Sequence, residues 1–193
     1  TRFSGPDYLT HEELVRLSSN PNPGGELEKK VERILNTPFI SNEAYFRGAR
    51  PKKLDHPTLG PLLRVVQWNI EKSMKMREAI WAFTNEAEFA KLIDTAQFKP
   101  GTPGHEEILR QRRALEGANI LILQEMDVGM KRSNYLDATK ELAEALNMNY
   151  VYGTEQLEID TVNLGIEKFV DENGVEDKKL QELFRVEPHR YKG

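Results

Sequence analysis

The chain has 193 residues, no cysteine, 38% apolar and 30% charged residues, and a formal net charge of −4. That balance describes a folded globular chain with one domain and a sizeable core, and it excludes collagen-like, disulfide-stapled and low-complexity classes. The mild acidic excess argues against a broad basic face for sequence-independent binding to nucleic acid. No apolar run approaches the ~18 to 20 residues that span a bilayer, so no membrane span is expected, and the lack of cysteine suits a cytoplasmic or an exported protein equally.

The first sixty residues read as a helical extension with a linker. Thr10 stands three residues before Glu13, a capping-box spacing ahead of Leu14, Val15 and Leu17, and the turn-forming run Asn20 to Gly25 closes that helix. Leu27, Val31, Ile34 and Leu35 recur at helical spacing, which predicts a second amphipathic helix that stops at Asn36-Thr37-Pro38. From Arg47 to Gly60 glycine, proline and lysine recur without a period, so this stretch reads as the linker into the main body.

The body, residues 61–153, opens on Arg64-Val-Val-Gln-Trp-Asn-Ile70, whose β-branched and aromatic residues predict a strand. Apolar residues near a 3.6 period predict one long helix over 75–96, and after a Pro/Gly loop a second helix over 105–116 capped by Gly117. Ala118-Asn-Ile-Leu-Ile-Leu123 is too short for a helix and reads as a strand buried on both faces. Strand, helices and strand form a βαβ unit with a parallel pair. Tyr135, Ala138, Leu142, Ala145 and Leu146 predict another helix, and Asn149 to Gly153 a third strand. Residues 154–193 fit neither period; they contain a turn at Asp171 to Gly174 and a helix over 178–185, and read as an insertion or lid.

Polar residues that close apolar strands mark the ligand-binding edge of an α/β sheet. Asn69 ends the first strand and Glu125 follows the second, so a parallel pairing brings an amide and a carboxylate to one rim. Those hard oxygen donors suit Mg²⁺, which keeps several waters and takes few protein ligands. Asp127, Lys131 and Arg132 crowd the following loop. Asp127 is placed to orient a metal-bound water or a base, and Arg132 to hold a phosphate oxygen in its fork of donors.

The histidines form no metal motif. His11-Glu12-Glu13 and His105-Glu106-Glu107 start like zincin helices, but Val15 and Leu109 stand where the second histidine is required. Both read as exposed helix-start residues. His56 falls in the linker and His189 near residue 193.

Arg64-Val-Val-Gln-Trp-Asn69-Ile70 and Ala118-Asn-Ile-Leu-Ile-Leu-Gln124-Glu125-Met-Asp127 resemble two strands of the endonuclease/exonuclease/phosphatase superfamily of Mg²⁺-dependent phosphoesterases. The continuation through Gly129, Lys131, Arg132 and Ser133 to Asn149-Tyr-Val-Tyr-Gly153 is similar to a bacterial branch of that family. The resemblance covers about residues 64 to 153. It implies the first half of a four-layer α/β/β/α sandwich, in which Glu125 binds Mg²⁺ or its substitute Mn²⁺. Asn69 would join the ion or orient the scissile phosphate and its attacking water, with Asp127 and Arg132 in support.

The family's second half supplies a Gly-Asn-Ala-Ile-Leu-Ser-like strand, an Asp-x-Asn segment and a closing Asp-His pair, none of which occurs here. The resemblance therefore implies half of an active site, completed by the C-terminal half of the same enzyme as a separate or cleaved chain. The substrate would be a phosphorylated small molecule, a lipid head group or a nucleic acid. The alternative is a catalytically inactive module that holds a phosphorylated ligand or partner through Lys131 and Arg132.

Overall fold

The structure, a computed structural model, describes residues 7–159 and 185–193. In chain order the elements begin with α1 (His11–Ser19), α2 (Gly25–Asn36), β1 (Phe39–Ser41), α3 (Glu43–Phe46), β2 (Leu54–His56), β3 (Gly60–Leu62) and β4 (Val65–Asn69). They continue with α4 (Met76–Thr84), α5 (Glu86–Ala90), α6 (Pro103–Leu115), β5 (Ile120–Gln124), α7 (Ala138–Leu146) and β6 (Tyr150–Tyr152). Among the described residues no helix is long and apolar enough to cross a membrane. The turn at Asp171 to Gly174, and nearly all of the helix expected over 178–185, lie outside the described residues.

The chain divides into two compact units, each assembled from separated segments. One takes the described parts of Thr1–Ser41, Asp127–Asp137 and Tyr150–Gly193; the other takes Asn42–Met126 and Ala138–Asn149. Composition and length led to the expectation of one domain, and the element pattern to an extension, a body and an insertion in linear order. Long-range strand pairing, which local sequence does not encode, produces the interleaving instead.

In the first unit the capping box forms as its spacing requires. The Glu13 backbone N–H donates to Thr10 Oγ1 at 3.2 Å, and the Thr10 N–H donates to Glu13 Oε2 at 2.7 Å. This fixes the start of α1, whose Leu14 and Leu17 join Leu9, Leu27, Met130 and Tyr191 in one buried cluster. Leu157, Ile159 and Val186 pack against that cluster, so the described ends of the segment read as a lid belong to a core. Burial is why the weak periodicity there misleads: scattered apolar residues suffice when the chain wraps a core without regular structure.

Gly129 shows how tightly that wrapping is made. Its φ is +69°, a region costly for other residues. Its carbonyl accepts the Lys192 N–H at 3.1 Å, and any Cβ at Gly129 would collide with the Lys192 side chain.

β6 pairs antiparallel with β1, Phe39 opposite Tyr152. It therefore does not extend the parallel pair, as the β-α-β-α-β reading expected. Cross-strand aromatic packing accounts for the choice: the Phe39 and Tyr152 rings stack with centroids 4.9 Å apart.

In the second unit β4 and β5 form the expected parallel pair, with Val65 opposite Ile120 and Asn69 opposite Gln124. Trp68 on one face meets Phe83 of α4 at a ring-centroid distance of 5.9 Å. On the other face Val65, Ile120 and Ile122 are 52%, 41% and 48% exposed. The expectation that β5 is buried on both faces is therefore corrected, because helices of this unit cover one side of the pair only.

Two further local readings change. The helix expected over 75–96 breaks at Asn85, which ends α4 and then caps α5, its side chain accepting the Glu88 N–H at 3.1 Å. An Asn with such a bond competes with helix continuation. The supposed linker contains a hairpin in which Leu54 to His56 pairs with Gly60 to Leu62; Gly60, at φ +74°, permits its turn.

Candidate functional site

The parallel register sets Asn69 and Gln124 side by side, and Glu125 follows one residue beyond. Asn69 Nδ2 donates to Glu125 Oε1 at 2.8 Å, while Asn69 Oδ1 accepts the Glu71 N–H at 2.9 Å. Both ends of the amide are thereby used, and its orientation is fixed. The Ser73 hydroxyl donates to the Glu125 carbonyl at 3.1 Å. Ser73 is buried, so this bond ties the loop after β4 to the backbone of the carboxylate.

The backbone around this pair is strained. Glu71, Lys72, Ser73 and Glu125 have φ between 53° and 59°, left-handed conformations of the kind that cost of order 1 to 3 kcal/mol each for residues with a Cβ and that gather at functional sites. None of the four is glycine or asparagine, the residues that tolerate this geometry. Strain at the carboxylate and in the loop that clasps it turns Glu125 away from the line of β5 and keeps its side chain in solvent.

Glu125 is exposed, and its Oε2 has no donor among the described residues. Nor do those residues hold any group of three or more His, Cys, Asp and Glu able to enclose a metal. One solvent-facing carboxylate steadied by an amide does not fit zinc, which takes three or four protein ligands. It does fit Mg²⁺, bound through one or two carboxylates, waters and substrate oxygens.

The two supporting residues fall in the other compact unit. Asp127 is buried, and Arg132 grips it with two parallel bonds, Nε to Oδ2 at 2.8 Å and Nη2 to Oδ1 at 3.0 Å. Arg132 Nη1 also donates to Glu158 at 2.7 Å. The Asp127 hydrogen bonds hold the guanidinium pKa above its ordinary value, against the opposing effect of burial. Arg132 is thus committed to a clasp that joins the 127–137 loop to residue 158, and Lys131 Nζ donates to the Arg185 carbonyl.

Replacing Arg132 by Leu removes from the buried Asp127 carboxylate the guanidinium that grips it with two bonds. The expected loss is about 2 to 3 kcal/mol, below the ~3 to 5 of a fully buried pair because the guanidinium is partly exposed. Urea unfolding of the two proteins measures it, and an unchanged midpoint would remove the clasp from the account.

Tyr152 supplies a pH signature of the same unit. Burial, and then the charges of Asp127 and Asp137, push its phenol up to about 12. A phenol raised above its unfolded value stabilises the fold fully below about pH 10 and loses that contribution as pH rises to about 12. Stability in urea should decline across that window, and Tyr152→Phe should flatten the decline.

The histidines stay outside this chemistry. His105 is buried on α6, which corrects its reading as an exposed helix-start residue; it lies on the same face as the buried Leu109 and Arg112, at i+4 and i+7. His56 accepts locally from the Thr58 N–H, and His189 lies 3.9 Å from Glu187. What the sequence reading missed is the Glu71-Lys72-Ser73 turn. Its residue types carry no signal for a left-handed run, which glycine or asparagine would have announced.

Set against protein-family models, curated proteins and solved structures, the chain gives no match.

Proposed function

We propose that this chain carries the metal-binding half of an Mg²⁺-dependent hydrolase of phosphate esters, of the endonuclease/exonuclease/phosphatase type. The observation that carries the reading is the Asn69–Glu125 hydrogen bond at the carboxyl rim of a parallel strand pair, clasped by a strained loop. Glu125 and the ion's waters would hold Mg²⁺, which when bound supplies positive charge for the phosphoryl oxygens. Asn69 keeps the carboxylate in one orientation, and the Glu71 N–H keeps the amide in turn. Ser73 holds the turn on which Glu125 sits.

The second half of the site would come with a partner half seated on the exposed sheet face. Val65, Ile120 and Ile122 support this, since a solvent-facing cluster of large apolar side chains on a strand pair is what a second sheet covers in a sandwich. The alternative of an inactive phosphate-binding module has less support, because Arg132 is held by Asp127 and Glu158.

Direct Mg²⁺ titration by calorimetry tests the proposal. A single site lost in Glu125→Gln is expected, with phosphodiester turnover that requires both Mg²⁺ and the second half. Ligand binding that persists undiminished in EDTA, with no Mg²⁺ site, would favour the inactive module.

A further inference from the structure

A separate cavity of about 240 Å³ lies within the first compact unit, between the residues that precede α1, the end of α2, β1 and β6. Its walls are apolar and aromatic: Leu9, Ile34 and Leu157, with the rings of Tyr8, Phe39 and Tyr152. A closed cavity of ~150 Å³ accommodates benzene, so this one has room for a second fused ring.

The charges at its walls are asymmetric. Asp7 is occupied by Arg33, whose Nη2 lies 2.8 Å from Oδ2, and that hydrogen bond keeps the Asp7 carboxyl below its usual range. Lys192 is different. Its backbone N–H is anchored on the Gly129 carbonyl at 3.1 Å, yet its Nζ has no carboxylate partner among the described residues and lies 5.7 Å from the Tyr8 ring centre. Among the lining side chains Lys192 carries the charge that no carboxylate of the described residues pairs, while Asp137, outside the lining, accepts the Tyr8 hydroxyl at 3.0 Å.

We propose that this cavity is a binding site for a small planar aromatic monoanion, its rings packed among Phe39, Tyr152 and the aliphatic wall and its anionic group paired with Lys192. The stacked Phe39–Tyr152 pair supplies a flat, rigid surface, which favours planar over branched ligands. Lys192 selects among planar molecules by charge, and burial of the aromatic body supplies most of the affinity. None of these residues belongs to the Asn69–Glu125 pair, so the site stands independently of the phosphoesterase proposal.

Three bicyclic probes of equal ring size test it on the whole chain: naphthalene-2-carboxylate, naphthalene-2-methanol and (2-naphthylmethyl)trimethylammonium, titrated by calorimetry with amide NMR shifts to locate them. The carboxylate is expected to bind about tenfold more tightly than the alcohol and the ammonium least, with shifts at Phe39, Tyr152 and Lys192. Lys192→Gln should bring the carboxylate down to the alcohol's affinity and leave the alcohol unchanged; Phe39→Leu should weaken both. Equal affinity of the three probes, indifference to Lys192→Gln, or shifts confined to Val65, Ile120 and Ile122 would overturn the assignment. Tighter binding of the ammonium would do so as well, because the aromatic rings would then be acting as a cation cage. Circular dichroism of each variant shows whether it is folded. If Phe39→Leu unfolds, Tyr152→Leu carries the same test.

Discussion

Glu125→Gln is expected to lower Mg²⁺-dependent phosphoesterase turnover by about a thousandfold, a barrier increase of ~4 kcal/mol, in the enzyme joined with its second half. The melting temperature should barely move. Glutamine matches glutamate in shape and still accepts the Asn69 Nδ2 bond through its carbonyl oxygen. What it lacks is charge, and at an exposed rim position charge does no packing work. The strained left-handed backbone at Glu125 is indifferent to the exchange, since both side chains pay the same steric cost there. Wild-type turnover by the glutamine variant at saturating Mg²⁺ would remove Glu125 from the metal site.

Asn69→Ala should lower kcat by about a hundredfold, the upper range for residues that orient a metal ligand, and change KM little. The reason is the chain of bonds from the Glu71 N–H through the Asn69 amide to Glu125 Oε1. Without it the carboxylate keeps its charge but samples several orientations, and an interaction that matters most in the transition state is lost. A positioning role also predicts a higher Mg²⁺ concentration for half-maximal activity. Asn69→Asp offers a second reading: it can still accept from Glu71 but repels Glu125, so it should be worse than alanine for turnover. A lowered melting temperature with normal kinetics would instead make Asn69 a purely structural end to its strand.

The two effects differ in kind from that of Arg132→Leu, which acts on stability. The contrast follows from burial. Asp127 is 7% exposed and needs its partner to remain charged inside the protein, while Glu125 faces water and needs no partner to be tolerated. Sequence proximity grouped Asp127 and Arg132 with Glu125; the structure gives them bonds to each other and to Glu158, in a different compact unit.

What the sequence determined by itself is local. The Thr10–Glu13 capping box, the left-handed glycine at 117 with φ +74°, and the strands ending at Asn69 and Gln124 depend on a few adjacent residues, and each forms where its residue types place it. The parallel pairing was legible too, because a strand joined to the next through helices has few other ways to pack. Tertiary structure decided the rest. β6 went to β1, Val65, Ile120 and Ile122 of the β4–β5 pair were left exposed, and Leu157, Ile159, Val186 and Tyr191 joined the core of the N-terminal helices. The strained turn at 71–73 exists because bonds to Asn69 and Glu125 hold it, although Glu, Lys and Ser do not favour it. Each of these outcomes depends on contacts between residues far apart in the chain, whose energies no local pattern records, and such contacts override weak local preferences whenever they bury apolar surface or satisfy a polar group.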